Sequence, residues 1–360
     1  MSFSLAPPGK PSRILVRGTN WLGDTVMSLP AIKEIRRLFP SAYITLWAPA
    51  SLAALWEVTG IADDIISFDN NSGGPWRRPY RMRKRLVSKD FDLVVLFQNA
   101  FESAFTAWLA RIPMRAGYPT DMRGLLLNIK VPLTQEIRRK HQVFYYLAIT
   151  DFLAKVFQIP ASPGTRPADC SIPLREELLN SGKNELLSRR LDPELPLFCL
   201  CPGSVNSDAK RWPVDYFAEL ADLLIAHVGG QVVFLGTAQE HALIETIRSL
   251  MQNRGSVNLA GTADVVTAMA VMKLSTAVIS NDTGSAHLAA AACAPVLTIF
   301  GPTSPGATAP YGPHSYTIQG EAPCAPCRHF RCPVPGQPCM RSVEPGTVFR
   351  KIQGITIPDP

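Results

Sequence analysis

The sequence predicts an α/β protein of two doubly wound halves, each a parallel sheet covered by helices. Three observations predict it. Short apolar runs alternate with helical patterns along nearly the whole chain, which is the signature of βαβ units. The alternation falls into two series of similar size, separated by the proline-rich segment Pro160 to Pro173, which has the composition of an interdomain linker. A length of 360 residues also exceeds what one hydrophobic core usually serves. The halves are therefore placed at 1–170 and 171–360. Ligands of such sheets sit beyond the carboxyl ends of the strands, so two facing halves would make a cleft.

In the first series Arg13 to Arg17 (RILVR) reads as a short buried strand, and Gly18 to Asp24 turns into a helix running to about Leu38. Tyr43 to Trp47, Ile65 to Phe68 and Asp92 to Phe97 read as further strands, with helical patterns between them and a helix at Phe101 to Ala110. Helices at 141–157 and 174–190 flank the linker. The second series reads Leu197 to Cys201, helix 213–227, Gln231 to Leu235, helix 239–252, a strand near Val257, helix 264–273 and Ala277 to Ser280. A small-residue helix, Ser285 to Ala292, and the apolar run Val296 to Phe300 follow, with a short last helix at about 345–353.

Hydrophobic content of 46% and charge of 18% describe a globular chain, not a disordered one. The N-terminal MSFSLAPPGKPSR has no apolar core of a signal peptide. The longest nearly uncharged apolar stretch, Leu288 to Phe300, is 13 residues and contains Pro295, too short to span a bilayer. A cytoplasmic location is expected, with the eight cysteines reduced. The net charge of +7 is uneven: residues 1–170 hold 22 Lys/Arg against 13 Asp/Glu, or +9, and residues 171–360 hold 14 against 16, or −2. The first half is thus expected to meet something anionic.

Gly18-x4-Gly23-Asp24-Thr25 comes close to a phosphate-binding P-loop, but Asp24 stands where the lysine must be. A carboxylate there repels phosphate, so the motif excludes nucleotide hydrolysis; the glycine spacing also excludes a dinucleotide fingerprint. Asp24 remains as a general base or a helix N-cap, and the spacing by itself favours the cap. Asn281-Asp282-Thr283-Gly284 ends a strand and opens a helix: Asp282 and Thr283 suit an N-cap, and Gly284 admits a ligand close to the backbone. A helix start there suits a phosphate. Pro202-Gly203-Ser204 followed by Lys210-Arg211-Trp212-Pro213 can bind a pyrophosphate, or form a solvated basic loop. Glu240, beyond Leu235-Gly236-Thr237, can bond a ribose hydroxyl or sit in a first helical turn. His287 is counted with the donor residues, although a lone His there more often serves structure.

Asp90-Phe91-Asp92 has the D-x-D metal pattern but starts a strand, away from the ligand end, and is discounted. Trp76 to Lys89 holds seven basic residues, a solvated helix face or a surface for an anionic acceptor or membrane. Nucleic acid is not expected, because only Trp76 and Tyr80 interleave the run. Cys324-x2-Cys327-x4-Cys332-x6-Cys339 groups four thiols within 16 residues, a pattern expected to hold a structural zinc or to remain a reduced tail.

Taken together, RGTNWLGDTVMSLPAI, QNAFESAFTAWLARIPMRAGY with the following Arg123-Gly124-Leu125-Leu126, CPGSVNSDAKRWP, VVFLGTAQE and SNDTGSAHLAAA resemble the heptosyltransferases of lipopolysaccharide core synthesis, the second heptosyltransferase above all. The resemblance implies a GT-B fold with two facing Rossmann-like domains, the first for the acceptor and the second for ADP-heptose. It implies inverting transfer that needs no metal or other cofactor. By motif position Asp24 becomes the base. Lys210 and the Thr283-Gly284 turn hold the pyrophosphate with Gly203 and Ser204, Glu240 the adenosine, and Asp282 the sugar hydroxyls. Asn20, Arg77, Arg78, Asn99 and Arg123 are assigned to the acceptor. That acceptor, an anionic heptosyl-Kdo-lipid A, implies peripheral contact with the inner membrane by a monomer. First- or third-heptose transfer, an epimerase of the same architecture and a non-catalytic nucleotide-sugar binder are the alternatives.

Overall fold

The computed structural model describes residues 9–69, 77–160 and 168–356. Trp76, residues 161–167 of the proline-rich segment and the first eight residues lie outside the described residues. The chain divides into two compact units, Met1–Cys170 and Ser171–Pro360.

The first unit runs β1 (Arg13–Arg17), α1 (Leu22–Leu38), β2 (Tyr43–Pro49), α2 (Ala53–Thr59), β3 (Asp64–Phe68), α3 (Arg77–Val87), β4 (Leu93–Leu96), α4 (Phe101–Leu109), β5 (Met114–Gly117), β6 (Ile129–Lys130), α5 (Gln135–Arg139) and α6 (Gln142–Val156). Its six strands lie in the order β3-β2-β1-β4-β5-β6, all pairs parallel. β1 sits between β2 and β4 with helices on both faces, so Ile14, Leu15 and Val16 are wholly buried and the strand reads as an unbroken apolar run. Asp92, at the amino end of β4, accepts hydrogen bonds from the Ser12 N–H (2.8 Å), the Ser12 hydroxyl (2.7 Å) and the Arg13 N–H (2.9 Å). The D-x-D pattern thus ties the start of β1 to β4, at the end of the sheet away from ligands.

The second unit runs α7 (Glu176–Ser188), β7 (Leu197–Cys201), α8 (Val214–Val228), β8 (Gln231–Phe234), α9 (His241–Leu250), β9 (Ser256–Asn258), α10 (Val265–Leu274), β10 (Ala277–Asn281), α11 (Gly284–Ala291), β11 (Val296–Phe300), α12 (Pro305–Thr308), β12 (Ser315–Gln319), α13 (Pro338–Arg341) and α14 (Pro345–Thr356). The strand order β12-β11-β10-β7-β8-β9 repeats that of the first sheet, again all parallel. In each sheet the winding reverses once, between β1 and β4 and between β7 and β10, and such a switch point opens a crevice at the carboxyl ends. The alanines of α11, Ala286 and Ala289 to Ala291, are buried, which lets the helix lie close on its sheet. α14 packs on α8 within this unit, and its neighbour Val343 accepts the Trp212 indole N–H at 2.8 Å.

Three strands depart from the sequence reading: β5, β6 and β12 complete the two six-stranded sheets. MRAG and IK are short and carry charge, and SYTIQ is a half-buried edge. None shows the continuous apolar run by which interior strands are recognised.

Candidate active site

In the first unit, Asp24 is the third residue of α1 and half-buried at the open end of β1. Trp21 occupies the N-cap position and makes no side-chain cap bond. The capping role considered for Asp24 is therefore corrected: it lies inside the first turn, where a carboxylate meets the positive end of the helix dipole. The Tyr146 hydroxyl of α6 donates to Asp24 Oδ1 at 3.1 Å. Burial, then the Asp24 charge, pushes the Tyr146 phenol well above its ordinary range, so it remains a donor to the carboxylate.

Asn20 accepts from the Arg17 guanidinium at 2.6 Å. Asn99 is held on both sides, accepting from Arg123 at 2.9 Å and donating to the Tyr145 hydroxyl at 2.7 Å. Arg123 itself is wholly buried. It donates to the Tyr118 carbonyl at 2.8 Å and to the Gln98 carbonyl, and burial lowers its pKa to about 10. Its expected place at the acceptor is corrected: it joins the loops after β4 and β5 and positions Asn99. Arg78 of α3 pairs with Glu102 at 3.6 Å, and Arg77 is exposed.

In the second unit the loops after β7 and β10 meet at the switch point. Lys210 Nζ donates to Asp282 Oδ2 at 2.7 Å and to the Asp282 carbonyl at 3.2 Å, and the Thr303 hydroxyl donates to the same carboxylate oxygen at 2.7 Å. Asn281, wholly buried, fixes both loops: its amide donates to the Pro202 carbonyl at 2.7 Å and its oxygen accepts from the Trp212 N–H at 3.0 Å. Thr283 takes the N-cap position of α11 but makes no side-chain cap bond. Asp282, expected among the cap residues, is instead turned to Lys210, so the first N–H groups of α11 keep no side-chain cap. Ser204 and His287 are buried beside these loops.

Glu240 is buried and forms a capping box with Thr237, its Oε2 accepting from the Thr237 N–H at 2.8 Å. Both neighbouring turns pass close over this carboxylate, which a side chain at either glycine would displace. A Cβ on Gly203 would stand 1.8 Å from Glu240 Oε1, and one on Gly236 2.9 Å from Oε2. The Thr-x-x-Glu spacing that announces this box is legible in the sequence.

The four clustered cysteines are free. Among the described residues no group of three or more His, Cys, Asp or Glu side chains is gathered to hold a metal ion, so the expected zinc site is not assembled. Cys339 is buried against the turn at Gly301, whereas Cys324 is exposed. Burial, then the neighbouring thiols, raises the Cys339 pKa, which keeps it a neutral thiol. The segment is held by other bonds. The Phe330 carbonyl accepts from the Ser207 hydroxyl (3.1 Å) and the Ala209 N–H (3.2 Å), and the Gln337 amide donates to the Asp208 carbonyl (3.1 Å). It thereby braces the loop that carries Lys210.

The profile of glycosyltransferase family 9 (heptosyltransferase) matches residues 79–337. The chain belongs to that family. It is accordingly a glycosyltransferase, with the two Rossmann-like parallel sheets expected from sequence. Lipooligosaccharide heptosyltransferase 2 of Haemophilus influenzae is 30% identical over 312 residues, covering 82% of this chain and 85% of the relative. Lipopolysaccharide heptosyltransferase 2 of Salmonella typhimurium is 29% identical over 307 residues, covering 83% and 85%. The solved structure of E. coli ADP-heptose lipopolysaccharide heptosyltransferase II superposes with a TM-score of 0.79 at 26% identity, over 96% of this chain and 98% of the other. Among the described residues no helix is long and apolar enough to cross a membrane.

Proposed function

We propose that this family 9 enzyme transfers heptose from ADP-heptose, with inversion, to a lipid A inner-core acceptor that already carries one heptose. The observation that carries the reading is the convergence of Lys210 and the start of α11, which has no side-chain cap, at the switch point of the second sheet, with Asp282 holding the lysine there. That arrangement suits a departing diphosphate. The relatives named for the second heptosyltransferase support the acceptor.

Asp24 takes the proton of the acceptor hydroxyl as that oxygen attacks the anomeric carbon, and the bond from this carbon to the ADP oxygen breaks. ADP leaves with the electron pair, and its charge is met by Lys210 Nζ and the first N–H groups of α11. Lysine and helix dipole supply the positive charge, so the step calls on no metal ion. Gly203 and Ser204 line the phosphates, and Glu240, beside Gly203 and Gly236, faces the adenosine. The first unit takes the acceptor and the second the donor. The acceptor is membrane-borne, and α3 and α4 carry a face suited to an anionic bilayer surface. There Phe101, Phe105 and Trp108 stack at 5.8 and 6.0 Å, Tyr80 meets Phe105 edge-on at 6.4 Å, and Arg77 and Lys84 are exposed alongside.

Release of ADP from ADP-heptose tests the reading. It should require a heptosylated lipid A acceptor, and Asp24→Asn should lower it by on the order of 10²–10⁴-fold while leaving ADP affinity unchanged. Acceptor-independent loss of ADP, or full activity of Asp24→Asn, would contradict it.

A further inference from the structure

Strands β10 and β11 lie side by side with Asn281 beside Ile299, so the loops that leave their carboxyl ends leave together. The first loop carries Asp282, and the second bends through Gly301 and Pro302 to Thr303. The Thr303 hydroxyl donates to Asp282 Oδ2 at 2.7 Å, the same oxygen that takes Lys210 Nζ at 2.7 Å. Oδ1 has no donor among the described residues, although the Asp282 side chain is only 5% exposed. A carboxylate oxygen offers two lone pairs. Oδ2 is thus fully used, and Oδ1 is the oxygen left to meet a ligand.

The turn that carries Thr303 is itself fixed. The Pro302 carbonyl accepts from the Arg328 N–H at 2.8 Å, and the Gly301 carbonyl from the Gln319 amide at 3.0 Å. Gly301 lies against Met340 and Cys339, where a Cβ would collide with the Met340 sulfur. Arg328 belongs to the same cysteine-rich segment that braces the Lys210 loop, so both donors to Oδ2 hang from one support.

The two donors are not equivalent. Lys210 Nζ carries three N–H bonds, two of them spent on Asp282, and in the proposed reaction the third meets the diphosphate. As charge grows on the departing ADP, the lysine is drawn towards it and its hold on Asp282 slackens. The uncharged threonine feels no such pull, and its bond keeps the carboxylate in place through the step.

We infer that Thr303 is a positioning residue for the donor sugar: its hydroxyl fixes the Asp282 carboxylate so that Oδ1 faces the hydroxyls of the heptose. The inference rests on the proposed function for the identity of the donor and for the sugar contact of Asp282.

Titration calorimetry of the full chain with ADP-heptose and with ADP, no acceptor present, gives the direct test. Thr303→Val keeps the shape of the side chain and removes its hydroxyl. It should bind ADP-heptose about tenfold more weakly and ADP within about twofold of the parent, because a hydrogen bond to a charged group is lost and only the sugar meets Asp282. Thr303→Ser, which keeps the hydroxyl, should recover most of the ADP-heptose affinity. In an Asp282→Ala background Thr303→Val should add nothing further. In transfer assays the ADP-heptose KM of Thr303→Val should rise by about tenfold and the acceptor KM stay within about twofold. Thr303→Ala repeats the comparison if the valine variant does not fold. Equal weakening of ADP and ADP-heptose, unchanged binding of both, or a serine variant as weak as the valine one would overturn the inference. A parent that binds ADP but not ADP-heptose would instead overturn the proposed donor, and this inference with it.

Discussion

Lys210→Ala separates a catalytic lysine from a structural one. The side chain of Asp282 is 5% exposed and that of Lys210 27% exposed, and they meet at 2.7 Å. Exposed ion pairs contribute ~0–1 kcal/mol, whereas removing one partner of a fully buried pair costs about 3–5 kcal/mol. This pair is half of each kind, and Asp282 keeps the Thr303 hydroxyl at 2.7 Å. The stability loss should therefore be about 1–3 kcal/mol, a fall in the thermal midpoint of roughly 2–12 °C for a unit of this size. Turnover should fall further, by on the order of 10²–10³-fold, because the cation opposes charge that develops only as ADP departs. ADP affinity should weaken as well, and added Mg²⁺ should restore neither. Calorimetry of the variant, with steady-state rates per folded molecule, reads both effects. A lowered midpoint with turnover within about threefold of the parent would show that Lys210 only neutralises Asp282, and the proposed leaving-group chemistry would fail.

Tyr146→Phe should retain the fold at a cost of about 1 kcal/mol. It removes a donor that favours the ionised Asp24, so the acidic limb of the rate profile should move to higher pH; an unmoved limb would detach Tyr146 from the base. Gly203→Ala should raise the ADP-heptose KM and lower the midpoint, because its methyl would stand 1.8 Å from Glu240 Oε1. The double variant with Glu240→Ala should recover part of the midpoint but not the KM. At Asp92 burial pushes the carboxyl up, but the Ser12 hydroxyl, the Arg13 and Ser12 N–H groups and the Arg13 charge outweigh it and hold it below the usual carboxylate range. A depressed folded pKa contributes stability that is present above the unfolded value and is lost as pH falls through the folded one. Acid unfolding of Asp92→Asn should accordingly be shallower below about pH 4 than that of the parent.

Interior strands were legible because burial on both faces leaves no room for polar residues: β1, β7 and β11 have the bounds read from RILVR, LFCLC and VLTIF. β5, β6 and β12 were not, since a short or edge strand owes its place to its neighbour's backbone. Asp24, Lys210 and Asp282 stood out because glycine-marked turns follow strands. What those residues touch was not legible. Tyr146 reaches Asp24 across 122 positions and Asn281 reaches Pro202 across 79, contacts that only the finished sheets create. Arg17 reads locally as the end of an apolar strand, and the Trp47 and Phe68 rings beside its guanidinium meet it only where three strand ends come together. Arg123 shows the converse, since its place in the family motif suggested an acceptor contact and its burial makes it an internal brace.

The central claim concerns which bond is made. The direct measurement is mass spectrometry of lipid A acceptors carrying zero, one or two heptoses after incubation with ADP-heptose and the enzyme. The account predicts one added heptosyl residue on the one-heptose acceptor, equimolar ADP, and no product on the acceptor without heptose. Transfer to the acceptor lacking heptose, or none to any of the three, would contradict it.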